Sequence, residues 1–176
     1  TKGAEMAWYD GPTLLGALDG LQPTPSAQEC TLRMPIQDIY DMDDQKILVG
    51  RMASGVIRKG QTVMLHPLGK TATIETIKIM DGSLESAMAG ESIGLVFQNK
   101  AAMQGLARGQ VVCPTDDSPH VANTLTATVF WMNGEPLNLG DTVELKCGTA
   151  QVECKVKKIR NRMNSSTLEI IEEQAT

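Results

Sequence analysis

The sequence predicts an all-β chain: an antiparallel barrel or sandwich, then a second and incomplete β unit, with one short helix ahead of both. Three observations predict it. From Cys30 onward apolar residues recur with a period of two, the repeat of a strand that buries one face. Glycine-bearing turn signals interrupt that pattern at intervals of roughly 8 to 12 residues, the spacing of barrel and sandwich strands. Hydrophobic residues make up 41% and charged residues 21% of 176 positions, enough apolar material to bury roughly 70% of the unfolded surface.

The elements follow in chain order. Gly11 to Leu21 reads as a helix, with Leu14, Leu15 and Leu18 at helical spacing and Pro12 suited to the first turn. Gln22-Pro23-Thr24-Pro25-Ser26 ends it and reads as a linker. Leu32, Met34 and Ile36 then share one strand face, and Pro35 on the other face marks an edge or a bulge. Further strands are expected at Lys46 to Met52, Gln61 to His66, Ala72 to Met80, Ser92 to Phe97 and Gln110 to Cys113. The turns between them lie at Ser54-Gly55, Lys59-Gly60, Pro67-Leu68-Gly69, Asp81-Gly82, Ala89-Gly90 and Arg108-Gly109. Closing such a set into a barrel removes its exposed edges. Pro114 to Asn123 is polar and without apolar rhythm, which predicts a domain boundary. Beyond it Leu125, Ala127, Val129 and Trp131 alternate, followed by strands at Thr142 to Cys147 and Gln151 to Ile159. In the last, Val152, Cys154 and Val156 face inward and Glu153, Lys155 and Lys157 face water. The acidic tail, Ser165 to Thr176, is expected to form a helical turn. Three strands are too few to close a barrel, so the second unit reads as truncated.

Composition excludes several functions. A net charge of −5 with a pI near 5.0 disfavours binding to nucleic acid or anionic membrane through bulk charge. Aromatic residues are 3% of the chain, too few for a ladder of base-stacking platforms. The core must therefore be aliphatic and Met-rich. No apolar run is long enough to span a bilayer as a helix. Cys30, Cys113, Cys147 and Cys154 are far apart, without a Cys-x-x-Cys pair, and read as reduced, buried cysteines of a cytoplasmic protein. The chain starts at Thr1 rather than Met, and the expectation is that it comes from something longer.

Motifs that invite a chemical assignment fail on inspection. Gly69-Lys70-Thr71 lacks the first glycine of a phosphate loop, since Met64 stands there, and a strand rather than a helix follows the lysine. Asn99-Lys100 is not followed by the aspartate that reads guanine, because Ala102 occupies that place. Asp41-Met42-Asp43-Asp44 has Lys46 where a calcium loop needs its glycine and Met52 where it needs its glutamate. His66 and His120 lie at no metal-binding spacing. No catalytic residue, cofactor site or metal site is expected in this chain, and the residues alone read as a β-barrel interaction module.

Several segments together resemble the β domains of the translation-factor GTPases, in the elongation factor one-alpha branch. Met6-Ala7-Trp8-Tyr9-Asp10-Gly11-Pro12-Thr13-Leu14-Leu15 is similar to the segment that ends that family's GTP-binding domain. Leu32-Arg33-Met34-Pro35-Ile36, Gly50-Arg51, Ser54-Gly55, Ile57-Arg58-Lys59-Gly60-Gln61, Ala89-Gly90-Glu91 and Arg108-Gly109-Gln110-Val111 repeat the order of its domain II. The resemblance implies a Greek-key antiparallel β-barrel over residues 28–114, a partial second β-barrel over 119–176, and the end of a GTPase-domain linker helix in 1–27. Within the family, Met80-Asp81-Gly82, Glu85, Ala87, Ile93, Trp131-Met132, Pro136-Leu137, Gly140, Ile159-Arg160, Asn164, Thr167 and Leu168 are similar to the large GTPase subunit of bacterial sulfate adenylyltransferase. Ala7 and Gly16 depart from the usual Pro and Glu.

That resemblance implies a non-catalytic portion of a sulfate-activating GTPase subunit. Its partners would be its own GTPase domain and the small adenylyltransferase subunit, with GTP and magnesium held in the domain that is absent here. The alternative it implies is part of a translational GTPase, an elongation or release factor that delivers tRNA or a tRNA mimic. Elongation factor Tu holds the aminoacyl end of tRNA with an acidic residue, a basic residue and an asparagine. Those positions correspond to Lys78, Asp81 and Ser92, so both charges are reversed and the amide is lost. A pocket built that way repels an α-ammonium, which speaks against tRNA delivery. Met80, Asp81, Ser92 and Trp131 are the expected partner-facing residues, with ordinary core packing as the competing reading for Trp131. Neither nucleic acid nor membrane is expected as a partner, and open strand edges in the second unit are expected to pair with another copy.

Overall fold

A computed structural model describes residues 8–22, 26–42 and 45–173. The helix is shorter than the leucine spacing suggests: α1 is Leu14–Asp19, because Thr13 caps it, its hydroxyl accepting from the Gly16 amide at 3.1 Å. Pro12 therefore precedes the cap instead of filling the first turn. Of the helix and linker motifs, Met6-Ala7 and Pro23-Thr24-Pro25 lie outside the described residues.

Nine strands follow in the first unit: β1 Met34–Met42, β2 Gln45–Arg51, β3 Val56–Arg58, β4 Thr62–His66, β5 Lys70–Ile79, β6 Gly82–Leu84, β7 Ser86–Met88, β8 Ser92–Phe97 and β9 Val111–Cys113. Six of them close a ring in the order β4-β9-β1-β2-β8-β5, with β5 pairing back onto β4 and every pair antiparallel. This is the barrel the alternation predicts. The β6 strand extends β5, and β3 pairs with β7 as a separate ladder. Leu32, Met34 and Ile36 all point inward at 4% exposure or less, joined by Leu48, Ile57, Val63, Leu65, Ile74, Ile77, Leu95 and Val112. Met52 and Met103 fill the remaining space and Phe97 is the one aromatic in this cluster. Pro35 sits beside a bulge: the β1–β2 register shifts between Ile36 and Asp38.

Turn glycines carry the geometry. Gly55 has φ +76°, and a Cβ there would lie 2.5 Å from the Leu32 Cα. Gly69 of the Gly69-Lys70-Thr71 motif turns β4 into β5, and Lys70 donates to the Gln104 carbonyl instead of facing a cradle. The Asp41–Asp44 segment joins β1 to β2, with Asp43 and Asp44 outside the described residues.

The second unit contains β10 Thr142–Cys147 paired with β11 Ala150–Lys155, and β12 Asn161–Met163 paired with β13 Ile170–Glu173. Three expectations need correction here. Leu125, Ala127, Val129 and Trp131 form no strand among the described residues, because no neighbouring strand hydrogen-bonds to them. The acidic tail is a hairpin arm: after a turn at residues 165–167 stabilised by the Asn164 side chain, Ile170–Glu173 pairs with β12. The inward face of β11 is only half realised, with Cys154 and Val156 partly buried and Val152 at 50% exposure. The cysteines divide differently from expectation: all are free, Cys113 is buried, Cys154 intermediate, and Cys30 and Cys147 are exposed.

The units touch through the β10–β11 turn. The Thr149 hydroxyl donates to the Ile36 carbonyl at 2.7 Å, at the bulge in β1. The same carbonyl accepts the Gly109 amide at 3.1 Å. A second tie crosses from the connecting segment, where Asp117 accepts from the Arg33 guanidinium at 3.0 Å.

Candidate functional site

The expected partner-facing residues fall in two places. Met80 and Asp81 form the turn between β5 and β6, and Ser92 opens β8, the strand next to β5. The β5–β8 register, with Lys78 opposite Gly94, brings the turn and Ser92 to one end of the barrel wall. Met80 is 99% exposed, and Asp81 and Ser92 are exposed. Trp131 belongs to the other unit. It is 43% exposed and its indole N–H donates to the Glu135 carbonyl at 2.7 Å, so it closes a local turn and is no core residue.

The outer wall between these residues has a definite chemistry. Alternation puts Ile47, Val49, Gly94, Val96 and Lys78 outward, opposite the core-facing Leu48, Leu95 and Ile77. Ile47 and Val96 are nevertheless buried, at 7% and 4% exposure. Gly94 leaves a dimple in this apolar floor: a Cβ there would sit 2.7 Å from Ile47 Cγ2 and 3.7 Å from the Lys78 Cβ. The partly buried Lys78 ammonium donates to Gln45 Oε1 at 3.1 Å, a neutral acceptor. The Lys46–Asp41 pair on the adjoining hairpin is self-neutralising. The wall is thus an apolar shelf on which, among the described residues, Lys78 has no carboxylate paired with it. Among the described residues no three His, Cys, Asp or Glu side chains gather as a metal site.

Residues 45–113 match the family described as elongation factor Tu domain 2, and residues 124–176 match the GTP-eEF1A C-terminal domain-like family. The first unit is thus an elongation factor Tu domain 2 barrel and the second a GTP-eEF1A C-terminal domain-like unit, here called domain II and the C-terminal domain. Elongation factor 1-alpha of Methanococcus vannielii is 32% identical over 174 residues, which is 98% of this chain and 40% of that protein. The Staphylothermus marinus protein of the same name is 33% identical over 175 residues, with the same coverage. The chain spans about two fifths of the length of these relatives. Among solved structures, sup35 complexed with GMPPNP superposes with a TM-score of 0.68 at 22% identity, covering 96% of this chain and 41% of that one. Translation elongation factor SelB from Methanococcus maripaludis in its apo form gives 0.64 at 18% identity, covering 90% and 35%. At those identities the superpositions speak for the fold.

Within domain II, alternation and turn glycines anticipate the strands that build this wall and the turn at Asp81-Gly82, whereas the family resemblance singles out Met80, Asp81 and Ser92. Sequence reasoning missed Arg51, Gly148 and Thr149, which meet where domain II and the C-terminal domain touch. Gly148-Thr149 reads as an ordinary hairpin turn, and nothing in it signals a contact with a bulge more than a hundred positions upstream.

Proposed function

We propose that the chain is the two-β-domain portion of a translational GTPase, an elongation or release factor that presents tRNA or a tRNA-mimicking protein. The observation that carries this reading is the set of elongation factor 1-alpha relatives, 32% and 33% identical across nearly the whole chain. The reading as part of a sulfate adenylyltransferase large subunit yields to it, because the relatives that align across nearly the whole chain include elongation factor 1-alpha proteins. In this proposal GTP and magnesium sit in a GTPase domain of the longer protein, and the β domains form the surface that moves against it.

Of the two cargo classes, the wall chemistry favours a protein that mimics tRNA. An aminoacyl ester carries an α-ammonium, and Lys78 places a second cation beside it on a partly buried shelf where screening is weak. The test is sedimentation of the longer protein with ribosomes. Co-sedimentation with a non-hydrolysable GTP analogue and release with GDP is the expected result. Formation of adenylyl sulfate from ATP and sulfate, with no ribosome binding in either nucleotide state, would overturn the proposal.

A further inference from the structure

A groove of about 540 Å³ opens where domain II, the segment ahead of it and the C-terminal domain converge. Its lining includes Ser26, Pro35 and Gln37 beside the β1 bulge, Ala53, and the Gly148–Thr149 turn. That volume is within the range of sites that hold a ligand or a short peptide. Its one charged lining side chain is Arg51. The guanidinium is fixed by a hydrogen bond from Nε to the Gly90 carbonyl at 3.0 Å, which leaves the two terminal nitrogens as a paired donor. Glu91, next to Gly90 in the chain, accepts the Met88 amide on its carboxylate. Among the described residues no carboxylate forms an ion pair with Arg51. The groove therefore offers a planar, pre-oriented fork suited to a carboxylate or phosphate, beside a mainly apolar surface.

We propose that this groove seats an acidic peptide segment of a partner protein, one carboxylate on Arg51 with an apolar neighbour packed against Pro35 and Ala53. The apolar lining favours a peptide over a bare phosphate, which would leave that surface unfilled. A nucleic-acid backbone would likewise leave the apolar lining unfilled, and a single arginine supplies little of the multiple phosphate neutralisation such a ligand draws on. Because Gly148 and Thr149 line it, the site is complete only while the Thr149 hydroxyl holds the Ile36 carbonyl. Peptide binding and domain docking are consequently coupled. The inference is independent of the translational reading and stands or falls separately from it.

The test is titration of the whole chain, followed by amide NMR, with a capped peptide that carries one glutamate between two leucines. The probes for comparison are the same peptide with glutamine and inorganic phosphate. The expected result is saturable shifts at Gly90 and Gly148, with affinity reduced about tenfold or more by the glutamine peptide and by Arg51→Gln. Arg51→Lys should bind with intermediate affinity, since it keeps the charge and loses the fork. Thr149→Val should weaken binding with Arg51 intact. Equal binding by Arg51→Gln, shifts confined to another surface, no saturable shift at all, or phosphate binding as tightly as the peptide would each overturn the proposal.

Discussion

Replacing Gly55 with alanine separates backbone conformation from packing at the point where the barrel is stitched to the segment before it. Gly55 has φ +76°, which costs an L-residue about 1–2 kcal/mol. Its amide donates to the Ala27 carbonyl at 2.7 Å and its carbonyl accepts the Ala89 amide at 3.0 Å, so the residue is held from both sides. An added Cβ would stand 2.5 Å from the Leu32 Cα and 2.6 Å from its nitrogen, both backbone atoms of a residue only 4% exposed. Relief requires Leu32 to move off the core or the two hydrogen bonds to open, at about 1 kcal/mol for each bond. The expected loss is about 3–5 kcal/mol, a large part of the stability of an ordinary domain. Gly60 is the internal control: its φ is +77°, but a Cβ there meets nothing within 4 Å. Gly60→Ala should cost about 1–2 kcal/mol, the conformational contribution alone. Urea unfolding of both variants, with equal slopes required, measures the difference. Equal losses, within the error of the extrapolation, would refute the steric argument and the position of Leu32 against this turn.

Three further outcomes follow from named contacts. Thr149→Val keeps the side-chain shape and removes the donor to Ile36. Since Gly109 still serves that carbonyl, the contact should weaken by about 1 kcal/mol, seen as about fivefold faster amide exchange in the β10–β11 turn; unchanged exchange would show that the domains are not joined there. The Thr31 hydroxyl, and then the Arg33 guanidinium, hold the exposed Asp117 carboxyl below its ordinary value. A depressed pKa stabilises the folded form above the unfolded value, about 3.9, and that contribution disappears as pH falls through the depressed value. The segment around Asp117 should therefore detach from Thr31 and Arg33 in acid, while Asp117→Asn shows no such pH dependence; NMR shifts of Thr31 report both. Finally, burial pushes the Cys113 thiol up, so iodoacetamide at neutral pH should modify Cys30 and Cys147 first and Cys113 only on unfolding, as peptide mass spectrometry would detect.

The sequence was legible wherever one rule dominated. Leu32, Met34 and Ile36 alternate over a single buried face, and β8 runs over the residues its alternation predicts, Ser92 to Phe97. The second half of β1 was missed because Gln37, Asp38 and Asp41 point to water on a protruding hairpin and carry no apolar rhythm. The three-residue strands β3, β6 and β7 are too short to show a period at all. Leu125 to Trp131 shows the opposite failure: alternation is present, yet a strand also needs a hydrogen-bonding neighbour, which period cannot supply. No described residue beyond Cys113 is buried, so the C-terminal domain gave burial patterning little to record. The turn at Asp81-Gly82 was visible because a turn is local. The Arg51 groove was not, since Thr149 and Ile36 are brought together by tertiary docking alone.

The translational assignment is tested most directly by GTP turnover of the longer protein that carries these two domains, measured with and without ribosomes. The account predicts that ribosomes stimulate turnover and that ATP with sulfate does not. Turnover indifferent to ribosomes and driven by ATP, sulfate and a small adenylyltransferase subunit would contradict it.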